Sequence, residues 1–188
     1  MLLKNLAYQL WLRKMTKKIQ MPRGQQAYNY DCGAKSLQLV MAYYGSEMAY
    51  GKLLKIAKRY RKYGLPIEEM VDMARRNGFK VMSETNYSLA KIKKHVESGE
   101  PVIVLLQAWS GKDLSEKEWS DTDECGHYSV IIGFGDGKVY FNDPMSFRTA
   151  WLTEEEFENR WHSGEGDKYA MVILGDKRKM KDDLEHMD

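Results

Sequence analysis

An α+β fold, with an N-terminal helical part packed on a C-terminal antiparallel sheet, is predicted by the order of two kinds of segment. Up to about residue 100 the apolar residues recur at helical spacing between cap and stop signals. Beyond Pro101 they gather into short runs rich in Val, Ile, Tyr and Phe, separated by Gly and Asp turns. A chain of 188 residues can bury one full core, whereas two would be cramped. There is no internal repeat and no low-complexity stretch.

The first segment, "MLLKNLAYQLWLRKMTKK", sets Leu2, Leu3, Leu6, Leu10 and Trp11 on one helical face and most bases elsewhere. Residues 1–18 are therefore expected to form a basic amphipathic helix. Lys4, Asn5 and Gln9 break any signal-peptide core. Such a helix packs on its own domain or makes a weak membrane-surface contact, and packing is the plainer expectation. "IQMPRGQQ" reads as an extended lead-in, because Pro22 biases Met21 away from helix. A helix is then expected from Cys32 to Tyr44, with Asp31 as its N-cap and Gly45 as its stop. "YGKLLKIAKRY" is a second helix, and "IEEMVDMARRNGF" a third that starts after Pro66 and ends at Asn77-Gly78. "SLAKIKKHVESG" is a fourth, capped by Ser88. The strands expected are "PVIVLLQAW", "GHYSVIIGF", "KVYFND" and "YAMVIL", with one inserted helix in "TEEEFENRW", where Thr153 and Glu156 have capping-box spacing. The domain is expected to span 19–175, followed by a charged tail over 176–188.

Net charge is +2, but residues 1–23 hold Lys4, Arg13, Lys14, Lys17, Lys18 and Arg23 and no acid. Residues 24–188 carry 23 bases against 27 acids, so a mildly acidic domain bears a basic arm. No nucleic-acid partner is expected. No apolar run is long enough to span a membrane. Cys32 and Cys125 are the chain's two cysteines, too few for a disulfide scaffold and without a CxxC pair for zinc. A reducing, cytoplasmic setting fits that usage, and no cofactor is implied.

Cys32 is the first candidate for chemistry. A sulfur at a helix start sits near the positive end of the macrodipole, which favours the nucleophilic thiolate. Its plain alternative is a small core residue. A nucleophile also needs a base. His95 lies among lysines on an expected solvated face, His162 follows a helix end, and His186 is in the tail. His127, at the start of an apolar strand after Gly126, is the best placed. A third group must fix its tautomer, and Asp143 or Asn142 ends the next strand; alternation allows only one of them to face His127. An oxyanion needs donors, from the Cys32 backbone N–H and from Gln25 or Gln26. Residues 110–126 hold six acids against two lysines and lead into His127, so this segment is a candidate lid favouring basic substrates or a solvated excursion. Cys125 within it reads as a bland loop thiol.

"Q26-AYNY-D31-C32-G33-A34" resembles the signature of the bacteriocin-processing cysteine peptidases, the double-glycine leader type. "G126-H127-YSVIIG" and "FND143-P144" resemble that family's histidine and aspartate boxes, and the likeness runs from about Ile19 to Leu174. The resemblance implies a papain-like fold, with Cys32 as nucleophile, His127 as general base, Asp143 as orienter and Gln26 as oxyanion donor. The expected function is cysteine peptidase action on a peptide or protein substrate. Nothing resembles the transporter that the best-known members carry, so export-coupled cleavage is not implied. A peptide-binding module without turnover, and an amide hydrolase or acyl transferase acting on a small substrate, are the alternatives.

Overall fold

The computed structural model describes residues 18–46, 48–164 and 166–175. The expected helix over 1–18, apart from Lys18, and the tail over 176–188 lie outside the described residues. Helix α1 spans Cys32–Tyr43, and α2 (Tyr50–Ala57) runs into a 3₁₀ turn at Lys58–Tyr60. Then come α3 (Ile67–Arg76), β1 (Lys80–Glu84), α4 (Leu89–Glu97), β2 (Val102–Gln107), α5 (Glu116–Asp121), β3 (Gly126–Gly135) and β4 (Lys138–Asn142). The order closes with β5 (Ala150–Thr153), α6 (Glu154–Arg160) and β6 (Ala170–Leu174). The strands form one six-stranded sheet in the order β1-β6-β2-β3-β4-β5, with every pairing antiparallel.

The expected α+β layering holds, with a refinement. Both faces of the sheet centre are covered. Ile103 and Leu105 of β2 pack with Val130 and Ile132 of β3 against Leu37, Val40 and Met41 of α1. Val102, Val104 and Leu106 face the other way, onto Ile92 of α4 and Phe157 of α6. This is why β2 reads as an unbroken apolar run rather than an alternating one. Two edge strands, β1 and β5, go beyond the expected set. β1 alternates exposed and half-buried residues, and β5 is four residues long with Trp151 in the open. Neither carries enough apolar signal to read as a strand.

Local signals set several boundaries. Ser88 Oγ accepts from Lys91 N–H at the head of α4, and Thr153 and Glu156 close a reciprocal capping box on α6. The acidic segment is not structureless. Ser115 and Glu118 form a second capping box and start α5, whose Trp119 is buried beneath the Arg160 guanidinium, 4.5 Å away. Glu116 pairs with Arg160 at 2.5 Å, and Asp123 meets His162 Nδ1 at 3.3 Å. The segment is thus tied to α6, and with Asp121 accepting from Ser120 Oγ four of its six acids already have partners. Among the described residues no helix is long and apolar enough to cross a membrane.

Candidate active site

The lead-in over 19–26 is laid across one end of the sheet. Ile19 N–H donates to Ile132 O at 2.7 Å, beside an irregularity in the β3–β4 register. Gly133 makes room for that crossing: a Cβ there would stand 3.2 Å from Lys18 Cα. Asn142 Nδ2 donates to Pro22 O at 2.8 Å, Arg23 donates to Thr149 Oγ1 at 2.7 Å, and Gln26 N–H donates to Pro144 O at 2.9 Å. The strap therefore delivers Gln26 to the residue after Asp143.

Asp31 does something other than the expected capping. Its carboxylate makes no bond into α1. It turns back to accept from Ala27 N–H at 3.1 Å and Tyr28 N–H at 3.0 Å, and it also accepts from the Tyr50 hydroxyl. Asp31 is fully buried, and burial with these contacts raises Tyr50 above the usual phenol range. The side chain shapes the loop that carries Gln26 instead of closing the helix. Gly33 has its own reason: a Cβ would meet Met70 Sδ at 2.9 Å and Tyr128 Cδ2 at 3.0 Å. Without one, the first turn of α1 settles directly onto β3, and Cys32 comes to His127.

Cys32, His127 and Asp143 are 6%, 5% and 4% exposed. His127 Nε2 lies 3.0 Å from Asp143 Oδ2 and 3.2 Å from Oδ1. The Cys32 sulfur is near enough to the ring to favour its charged form. Burial opposes charge on the imidazole, yet the bonds and charges of Asp143 and Cys32 outweigh it and push its pKa up to about 10. Burial would likewise raise Asp143, but the His127 bond and charge, Ser129 O–H and Met145 N–H hold it below the usual carboxylate range. The structure thus brings together three of the four residues expected from the sequence and turns Asn142 away, as strand alternation required.

The fourth, Gln26, is adjacent but differently engaged. Its Nε2 donates to Tyr28 O at 2.7 Å, and its Oε1 is buried without a partner. A primary amide has two N–H donors, so one remains for a ligand. Gln25 is turned to Met145 O at 3.2 Å.

Ser129 is a residue that sequence reasoning missed. Its hydroxyl donates to Asp143 Oδ2 at 2.6 Å, and the residue is 1% exposed. It stands two positions after His127 on β3, so the period-2 rule already put it on the same face. Cys125 is half-buried, and its N–H donates to Gln107 Oε1 at 2.9 Å. His95, expected in solvent, is instead drawn in by Tyr87 and Glu100.

Helices on an antiparallel sheet, with a cysteine-headed helix facing a histidine on one strand and a carboxylate just past the end of the next, define a cysteine-type peptidase of the papain-like class. The model of the Peptidase C39 like family matches residues 18–168, most of the chain, and the chain belongs to that family. Among solved structures it is similar to a C39-like peptidase from Bacillus anthracis, at TM-score 0.66 and 20% identity over 85% of this chain and 98% of that one. It is similar also to the peptidase domain of Streptococcus ComA, a bi-functional ABC transporter of a quorum-sensing pathway, at TM-score 0.62 and 19% identity over 84% and 99%. A double glycine motif protease from an AMS/PCAT transporter, in complex with its leader peptide, aligns at TM-score 0.61 and 20% identity over 86% and 96%. A comparison with curated proteins gives no match.

Proposed function

We propose that the protein hydrolyses peptide bonds with Cys32 as nucleophile, His127 as acid–base, Asp143 as orienter and Gln26 as an oxyanion donor. The observation that carries this reading is the buried line in which one imidazole meets Cys32 and a carboxylate held by three donors. The thiol proton passes to His127, whose raised pKa favours holding it. The thiolate attacks the carbonyl carbon, and negative charge moves to the carbonyl oxygen. The Cys32 backbone N–H and the second N–H of Gln26 receive that charge. His127 gives its proton to the leaving amine as the C–N bond breaks. A thioester remains on Cys32. Water, deprotonated by His127, attacks this thioester to release the carboxylate product and restore the thiolate–imidazolium pair.

Asp143 need not change protonation; it fixes which ring nitrogen carries hydrogen and stabilises the imidazolium. Hydrolysis of a proteome-derived peptide library, read by mass spectrometry, tests the reading. Cys32→Ala should give no cleavage above background. Gln26→Ala should lower kcat roughly 10²–10³-fold, the usual cost of one oxyanion donor, and Gln25→Ala far less. Equal losses from the two glutamines would remove Gln26 from its role. Wild-type protein that cleaves nothing would favour a binding module.

A further inference from the structure

A cleft of about 370 Å³ opens behind the candidate triad, and its wall includes the Asp143 and Ser129 side chains themselves. Trp109 and Trp151 stand on its rim, 52% and 51% exposed. Leu106, Phe141 and Leu152 line the same cleft. We propose that this cleft is a subsite for a large apolar or aromatic side chain of the substrate segment that follows the scissile bond. The inference rests on Cys32 being the nucleophile.

Direction comes from the chemistry. The acyl half of the substrate stays on Cys32, while the leaving amine takes its proton from His127. The departing segment therefore lies on the imidazole side. Asp143 holds the far side of that imidazole from Cys32, and the cleft begins at Asp143. A chain leaving His127 in that direction runs over the space between Trp109 and Trp151.

Occupancy comes from the walls. The volume suits one or two side chains and lies within the range of ligand sites. The cleft's one cation is Arg160, and its charge is matched by Glu116 at 2.5 Å and Glu156 at 3.5 Å. Among the residues that line the cleft, no unpaired cation is left to draw an acidic side chain. Trp151 is held in place from one side by the Lys138 ammonium, 3.9 Å from its ring. Exposed apolar side chains also gather around this end of the molecule: Met145 and Phe147 follow Asp143 in the same loop.

The library cleavage experiment gives the test once sites are aligned on the scissile bond. Wild-type protein should enrich aromatic or large aliphatic residues within the first few positions after the bond. A synthetic pair built on the best site, with Phe or Gly at the enriched position, should differ on the order of tenfold in kcat/KM. Trp109→Ala and Trp151→Ala should collapse that ratio while keeping preferences before the bond. Both tryptophans are about half exposed, so the variants should fold, and unchanged melting temperatures confirm it for each. Cleavage with no preference after the bond, or a preference that survives both variants, overturns the subsite alone. Failure of the wild type to exceed Cys32→Ala overturns the catalytic reading, and the subsite with it.

Discussion

Two histidines in this molecule are built alike and differ in the group that faces them. His127 has Asp143 at 3.0 Å on Nε2 and Cys32 as its other partner. His95 has Glu100 at 2.7 Å on Nδ1 and the Tyr87 hydroxyl at 2.8 Å on Nε2. Each imidazole thus bridges a carboxylate and a second group that carries hydrogen. The second group makes the difference. Burial and the nearby carboxylates Glu84 and Glu100 raise the Tyr87 phenol above its usual range, away from its nucleophilic form. Cys32 is a thiol at a helix start beside an imidazole that retains its proton. In the function proposed above, a carboxylate–histidine pair by itself is a structural brace, and the same pair facing a helix-start thiol serves acid–base chemistry.

The largest effect expected from this contrast is on turnover. His127→Ala should reduce kcat roughly 10²–10⁴-fold, the usual contribution of a positioned acid–base group. His95→Gln should leave kcat unchanged and lower stability by about 1 kcal/mol through weakened hydrogen bonding. Steady-state kinetics with thermal melts on both variants decides it. A comparable loss of turnover from His95→Gln would erase the distinction.

Ser129 sharpens the comparison, because no hydroxyl in the described contacts plays its part at Glu100. Ser129→Ala removes the 2.6 Å bond to Asp143 and should lower kcat about tenfold. The acid limb of the pH profile should move upward as Asp143 loses a donor, and Ser129→Thr should restore both. An unmoved profile would make Ser129 a packing residue.

A smaller effect concerns stability against pH. The folded pKa of His127 is raised above that of free imidazole, so its contribution is fully present below about 6.5 and lost as pH rises through about 10. Asp143 is lowered, so its contribution is present above the ordinary carboxylate range and lost on acidification. Between neutrality and about pH 10 the wild type should lose more melting temperature than His127→Gln. Parallel curves would mean that His127 is not held as an imidazolium.

How much the sequence discloses depends on the reach of each signal. Helix starts at Ser88 and Thr153 are written within three residues and are legible. Strand alternation allows only one of Asn142 and Asp143 to face His127, but it does not say which; the resemblance to the peptidase family supplies Asp143. Asp31 misleads because its partners include Tyr50, nineteen residues on, while the local capping rule sees only α1. The lysines beside His95 on its own helix suggest solvent, whereas its partners come from before and after that helix. Two features are written in the sequence but easily overlooked: the Ser115–Glu118 spacing that starts α5, and Ser129 two residues from His127. The edge strands are short and bury little, so their few apolar residues form no extended run.

The central claim is that Cys32 is a reactive thiol rather than a packing residue, and selective alkylation tests it most directly. Native protein is treated with a substoichiometric alkylating agent across pH, and the modified cysteine is mapped by mass spectrometry. An ordinary thiol titrates near about 8.5, and a buried structural one stays inert until unfolding. Cys32 should take the label first, already at neutral pH, because protonated His127 sits beside it. His127→Ala should move that labelling to higher pH, with the half-buried Cys125 as internal control. Labelling confined to Cys125, or at Cys32 only after unfolding, would contradict the account.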